Sequence, residues 1–222
     1  MSSSSTPNPL TAAPTNGNRI LLLAGLIAGP LFVATAALQA ALRDGFDLGR
    51  HPISMLSLGD GGWIQIANFI VAGLLLMAFA VGLRRRLRPG VASRWAPILF
   101  ALCGIGLIIG GAFPPDPALG FPVGAPEGIL ETLSFAGTVH AVAPPLAFTS
   151  LVVGIVVAGR RIAKDGHGAL AVASWVIAPL CFLLSLPFWP ASSITLFIAV
   201  TLGLGWVSAY AAGLLRAGAA RA

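Results

Sequence analysis

Six long stretches of this sequence are almost free of charged residues, and they restrict the folds that the chain can adopt. They span residues 20–42, 63–83, 95–113, 135–159, 169–187 and 193–215. An α-helix of about 20 apolar residues crosses the hydrocarbon core of a bilayer, which is ~30 Å thick. A membrane β-barrel would instead show segments of about ten residues in which apolar and polar residues alternate. We therefore predict an all-α integral membrane protein with six transmembrane helices.

The composition excludes the other broad classes of protein. Of the 222 residues, 57% are hydrophobic and 9% are charged, whereas an ordinary soluble domain contains about 25% charged residues. Disordered chains combine low hydrophobicity with high charge, so they are excluded as well. The net charge of +6 would suit a nucleic-acid-binding protein, but the positions of the basic residues favour another explanation.

The basic residues predict how the protein is oriented. If the N-terminus is cytoplasmic, eleven of the thirteen Lys and Arg residues lie inside, and Arg43 and Arg50 lie outside. Lys and Arg accumulate on the cytoplasmic side of membrane proteins. We therefore predict that both termini are cytoplasmic, and that the positive charge requires no nucleic acid. The preference for Arg over Lys is typical of a GC-rich genome, so we expect the plasma membrane of a bacterium.

The two ends of the chain differ from the apolar segments between them. Residues 1–18 are rich in Ser, Thr, Pro and Asn, and we predict a disordered cytoplasmic tail there. The transmembrane domain is predicted at 19–216, followed by a short cytoplasmic tail at 217–222. A cleaved signal peptide is an alternative for the first apolar stretch, but that stretch is longer than the ~7–15 residues of a signal-peptide core. We favour an uncleaved helix.

The first predicted exterior loop contains a distinctive polar segment, D-L-G-R-H-P-I-S-M-L-S, at residues 47–57. Pro52 suits the first turn of a helix, and Ser54 and Ser57 would then share one face. We predict a short amphipathic helix that lies in the outer membrane interface. Arg50 is expected to pair with Asp47, or alternatively to bind a phosphate or carboxylate headgroup.

Other polar residues are expected at the same membrane depth. Six of the seven acidic residues, all except Asp165, lie on the predicted exterior side together with two of the three histidines. Ionisable residues in membranes usually face the protein interior or a wet cavity. We therefore predict an exterior-facing polar pocket. Its predicted lining consists of Asp47, Arg50, His51, Ser54, Asp116 and His140.

This pocket suggests two sets of functional residues. The candidate catalytic residues are Asp47, His51, Asp116 and His140, which are suited to general acid–base chemistry. The same four residues are the ligands for a divalent metal such as zinc, if one is present, although we favour hydrogen-bonding roles for the histidines. The candidate substrate-binding residues are Arg50, Ser54, Ser57 and Asn68. A serine nucleophile is not favoured, because no Gly-x-Ser-x-Gly segment is present.

Three segments resemble the domain of unknown function 998 family. They are D-L-G-R-H-P-I-S-M-L-S-L-G at 47–59, F-P-P-D-P at 113–117 and G-T-V-H at 137–140. The resemblance covers about residues 20–215, and the second proline of F-P-P-D departs slightly from the pattern. It implies a six-helix bacterial membrane protein in which these polar motifs matter, and it implies no established activity.

Three functional hypotheses follow. The first is a protein that binds or acts on a lipid or lipid-linked ligand at the outer leaflet, as a hydrolase or transferase if it is an enzyme. The second is a small transporter or ligand-binding membrane protein, which two prolines inside the fourth helix would suit. The third is a membrane assembly partner without chemistry of its own. The bilayer is the one partner that the sequence predicts directly.

Overall fold

The fold was analysed in a computed structural model that describes residues 16–87, 90–188 and 190–219. Within these residues the chain forms six α-helices, one short 3-10 helix and no β-strand, which confirms the all-α prediction. The α-helices are α1 (Asn16–Leu42), α2 (Gly62–Arg86), α3 (Trp95–Ala112), α4 (Phe135–Lys164), α5 (Gly168–Leu184) and α6 (Ser192–Ala219). The predicted tail at 1–18 lies mostly outside the described residues, and its last three residues already belong to α1.

Five of these helices, α1 to α4 and α6, are long and apolar enough to cross a membrane. The remaining helix, α5, is equally apolar but has 17 residues, slightly fewer than the ~20 of a typical span. Its exposed residues include Val172, Val176 and Leu180, which is the kind of surface that lipid covers. The chain is therefore a multi-pass helical membrane protein. Five helices meet the length of a membrane span, and α5 is the candidate for a sixth.

Each helix packs against the next one along the chain, and α6 returns to pack against α1, so that the six helices form a ring. The long connections 43–61 and 113–134 lie at one end of this ring, which we call the loop end. The opposite end, which we call the arginine end, contains Arg84, Arg85 and Arg86 in the last turn of α2. Direct contact between α4 and α6 is slight, because α5 lies next to both.

The short helix predicted in the first long loop is a 3-10 helix at Ile53–Ser57. Four of its five residues are buried, whereas an amphipathic interfacial helix would expose one complete face. Arg43 holds it in place, because its guanidinium group donates to the carbonyl oxygens of Leu56 and Leu58. The short helix is therefore part of the protein core at the loop end.

Two glycines allow α2 and α3 to approach each other closely. A Cβ atom on Gly73 would lie 2.5 Å from the carbonyl oxygen of Gly104, and a Cβ atom on Gly104 would lie 2.5 Å from that of Gly73. Backbone atoms cannot move aside as a flexible side chain can. Small residues of this kind are common where membrane helices pack, since the gain comes from close backbone contact.

We expect Gly104→Ala to lower the free energy of unfolding by about 1–3 kcal/mol, because the new methyl group must push α2 and α3 apart. The measurement is reversible unfolding of the purified protein in detergent. Gly205→Ala on α6 is the matched control, because no atom lies within 4 Å of the added Cβ position. An equal loss in both variants would contradict this account of the α2–α3 contact.

Candidate functional site

His51 is a buried residue that joins the two long loops at the loop end. Its Nδ1 accepts a hydrogen bond from the backbone N–H of Asp47 at 2.9 Å, so the ring proton must be on Nε2. That nitrogen donates to the carbonyl oxygen of Leu119 at 3.0 Å. The ring lies 5.4 Å from the rings of both Phe46 and Phe121. Both ring nitrogens are therefore engaged by the backbone, which leaves neither for a metal or a substrate.

Asp47 and Arg50 do not pair with each other, so the expected ion pair is wrong. The Asp47 carboxylate accepts the backbone N–H of Gly49 at 2.8 Å and shapes the turn. Arg50 instead forms an ion pair with Glu127 of the second long loop, with an N···O distance of 2.7 Å. Its side chain also donates to the Glu127 carbonyl oxygen at 3.0 Å. Arg50 thus fastens one loop to the other at the protein surface.

Asp116 lies at the N-terminus of α4. Its carboxylate accepts the backbone N–H of Ser134 at 2.8 Å, and the Ser134 hydroxyl accepts the N–H of Gly137 at 3.0 Å. A side chain at position 137 would overlap the Asp116 carboxylate, so glycine is required there. A negative charge is favourable at a helix N-terminus, where backbone N–H groups lack partners. Asp116 therefore has a structural task that fully accounts for its position.

His140 connects the end of α3 to α4. Its Nδ1 donates to the carbonyl oxygens of Phe113 at 2.7 Å and Gly110 at 3.2 Å. Carbonyl oxygens only accept hydrogen bonds, so Nδ1 carries a proton and Nε2 of the neutral ring is an acceptor. In the described part of the chain, nothing hydrogen-bonds to Nε2. His140 Nε2 is therefore left without a hydrogen-bond partner among the described residues.

A cavity of about 100 Å³ lies beside His140 inside the helix ring. Its polar side chains are those of His140 and Ser54, and no described residue of α5 lines it. The rest of the wall is apolar and includes Phe32, Phe69, Cys103, Ala143, Phe148 and Val200. The predicted polar pocket is therefore replaced by an apolar cavity. Of its six predicted lining residues, Asp47, Arg50, His51 and Asp116 are absent, because hydrogen bonds hold them in the loops.

The predicted binding residue Asn68 belongs to a buried amide network between α1 and α2. Its Nδ2 donates to the carbonyl oxygen of Phe32 at 3.0 Å and to the side chain of Gln65 at 3.2 Å. Gln39 of α1 donates to the same Gln65 oxygen at 2.8 Å. Ser57 is also buried, and its hydroxyl has no hydrogen-bond partner among the described residues. Neither Asn68 nor Ser57 lines the apolar cavity.

The four candidate metal ligands do not assemble. Among the described residues, no group of three or more His, Cys, Asp or Glu side chains is placed to hold an ion. His51 and His140 bind backbone atoms of different loop segments, and Asp116 caps a helix. The arrangement thus offers no support for the metal hypothesis.

The three segments that organise the loop end all lie within a longer match to a known family. Residues 26–214 match the family model described as a protein of unknown function (DUF998). The chain belongs to the DUF998 family. No curated protein and no solved structure matches it. In this DUF998 chain the family-like polar motifs connect loops to helices, so a function has to be argued from the geometry of the cavity.

Two residues that matter at this end of the DUF998 chain have no distinctive signal in the sequence. Glu127 is one of several exterior acids, and nothing in its neighbourhood indicates a pairing with Arg50. Arg43 contributes only to the predicted topology, yet it anchors the short helix and lies 5.7 Å from the ring centre of Phe121. The apolar lining residues have no distinctive signal either, because the residues that face lipid are apolar as well.

We expect His51→Ala to lower the free energy of unfolding by about 2–4 kcal/mol, because it opens a void and removes two partly buried hydrogen bonds to the backbone. Thermal unfolding in detergent provides the measurement. The control is His167→Ala, since His167 is exposed and its side chain forms no hydrogen bond with the residues that the structure describes. A His51→Ala protein as stable as the wild type would show that the histidine does not hold the loops together.

Proposed function

We propose that this protein spans the membrane six times with both termini in the cytoplasm, and that its cavity binds the apolar part of a lipid or lipid-linked ligand. The observation that carries the proposal is the apolar cavity with His140 in its wall. Ligand pockets combine apolar walls with a few well-placed polar groups. With the proposed orientation, the loop end and this cavity lie toward the outer leaflet.

The size of the cavity limits what enters it. An engineered apolar cavity of ~150 Å³ in another protein holds one benzene molecule, so a cavity of about 100 Å³ takes a small apolar group or a short length of chain. The remainder of a lipid would extend beyond it. Of the seven lining residues that are at least partly exposed, four indicate where: Pro144, Phe148, Leu196 and Val200. They belong to α4 and α6, which contact each other little, so a chain would enter sideways from the bilayer.

The chemistry of the wall favours the hydrocarbon part of a ligand. His140 and Ser54 are among the lining residues, but the surface of the cavity is almost wholly apolar. Burying apolar groups against such a wall is favourable, whereas a polar headgroup would lose its hydrogen bonds with water there. The headgroup of a lipid would therefore lie outside the cavity.

Binding is better supported than catalysis. A general acid–base mechanism usually needs at least two groups that exchange protons with the substrate. Among the lining residues that the structure describes, only His140 and Cys103 carry groups that titrate. The other candidate catalytic residues, Asp47, His51 and Asp116, are held at the loops by the hydrogen bonds described above.

We expect Val200→Phe to reduce the labelling of the protein by a photoreactive diacylglycerol about fivefold or more, because the larger ring occupies the cavity. Labelling is measured by mass spectrometry of peptides from α4 and α6 in nanodiscs. Ile198→Phe is the control, since Ile198 lies on the same helix, is 44% exposed and does not line the cavity. Equal labelling of both variants would refute binding at this cavity.

Single cysteines test the topology. Cys103 and Cys181 are buried, so their background reaction with an impermeant maleimide should be small. In intact cells we expect Asp60→Cys and Pro187→Cys to react, and Lys164→Cys to react only after permeabilisation. The reverse pattern would contradict the proposed orientation. A protected Pro187→Cys would show that α5 does not cross the membrane.

A further inference from the structure

A second cavity lies at the arginine end of the ring, opposite the first one. Its volume is about 470 Å³, which is within the usual range of ~300–1,000 Å³ for ligand pockets. It is formed by the ends of α2, α4 and α6, by the start of α5 and by the connection between α4 and α5. The polar and charged side chains in its wall are those of Arg86, Arg161, Asp165, His167 and Tyr210.

Two of these lining residues each have a buried donor atom without a partner. Arg86 Nε and the Tyr210 hydroxyl are both buried, and neither forms a hydrogen bond with any residue that the structure describes. A buried donor without an acceptor is unfavourable, and such groups are rare in folded proteins. Both atoms can donate a hydrogen bond, so a group with several acceptor atoms would satisfy them together.

Tyr210 is held so that its hydroxyl stays at this position. The residue is 5% exposed, and its ring centre lies 5.2 Å from that of Trp206 and 6.4 Å from that of Phe79. These aromatic contacts fix the ring, so the hydroxyl cannot swing away to find another partner. The site is therefore preorganised on the side of α6.

The charge at this cavity is positive. The described lining residues include two guanidinium groups and one carboxylate. Arg161 donates through Nε to Asp165 at 2.9 Å, and within the described residues its two terminal nitrogens form no other hydrogen bond. Arg86 has no ion-pair partner among the described residues. An anion in the cavity would therefore be attracted by Arg86, which has no ion-pair partner among the described residues. It could also accept hydrogen bonds from the terminal nitrogens of Arg161.

We propose that this cavity binds a phosphate group. Arg86 and Arg161 supply the positive charge, and Tyr210 donates a hydrogen bond to a phosphate oxygen. Arginine suits phosphate because its planar group presents several N–H donors in a fixed geometry. The wall also contains Leu87, Ile162 and Leu214, which suits the glycerol and chain region of a phospholipid as well as a free phosphate compound.

Arg86 differs from the other arginines of the same run. Arg85 is exposed and does not line the cavity, which is typical of a residue that orients a membrane helix. Arg86 is half-buried and lines the cavity. General attraction between a basic end and anionic lipid would involve both residues equally. A phosphate site requires Arg86 and not Arg85.

The test measures phosphate binding by the full-length protein and three variants: Arg86→Gln, Tyr210→Phe and the matched control Arg85→Gln. Inorganic phosphate is titrated calorimetrically into protein in neutral detergent, with chloride at equal ionic strength as the reference. Native mass spectrometry then counts the phosphatidylglycerol retained from mixed phosphatidylcholine nanodiscs. We expect Arg86→Gln to weaken binding about tenfold or more and Tyr210→Phe about threefold. We expect Arg85→Gln to change it less than about twofold.

The two arms distinguish the source of the phosphate. Binding of inorganic phosphate with this variant pattern indicates a free phosphate compound, whereas the same pattern for retained phosphatidylglycerol alone indicates a lipid headgroup. Absence of binding in both arms, or equal losses in Arg86→Gln and Arg85→Gln, would overturn the proposal. If Arg86→Gln does not fold, Tyr210→Phe decides, because it removes only an unpaired hydroxyl. Unchanged binding in that variant would then exclude the site.

Discussion

His51 and His140 each donate from a ring nitrogen to a backbone carbonyl oxygen of the segment 113–134, Leu119 in one case and Phe113 in the other. Both hydrogen bonds are partly buried, and a buried polar group without a hydrogen-bond partner is unfavourable. The two histidine rings are the hydrogen-bond donors for these carbonyl oxygens of the 113–134 connection. The positions of the short helix, of the Arg50–Glu127 pair and of the first cavity all depend on that connection being held against the helices.

The loop hydrogen bonds also explain why the first cavity is apolar. Asp47, His51 and Asp116 hydrogen-bond to backbone groups of the loops and of a helix end, and none of the three lines the cavity. The two cavities therefore differ in chemistry. The wall of the one at the loop end is almost wholly apolar, whereas two residues in the wall of the one at the arginine end, Arg86 and Tyr210, have unpaired donors.

The helices could be predicted from the sequence because their main requirement is local. The stretch 63–83 corresponds to α2 at Gly62–Arg86, and 95–113 corresponds to α3 at Trp95–Ala112. The largest differences are at helix ends. Helix α4 continues to Lys164, because residues such as Arg and Lys favour helix and backbone hydrogen bonding does not stop at the edge of an apolar stretch. Helix α5 ends at Leu184, three residues before the end of its predicted stretch.

The sequence alone determined that this chain is a membrane protein built from helices, because apolar stretches of sufficient length leave the backbone no other arrangement in lipid. It also identified the polar segments that matter. Only the tertiary structure decided what those segments do. Arg50 pairs with Glu127, which lies 77 residues further along the chain. His51 donates to the carbonyl oxygen of Leu119, which lies 68 residues further along. A local sequence pattern cannot predict such distant partners. Every residue has a carbonyl oxygen, for example, and only the folded backbone determines which of them lies beside His51.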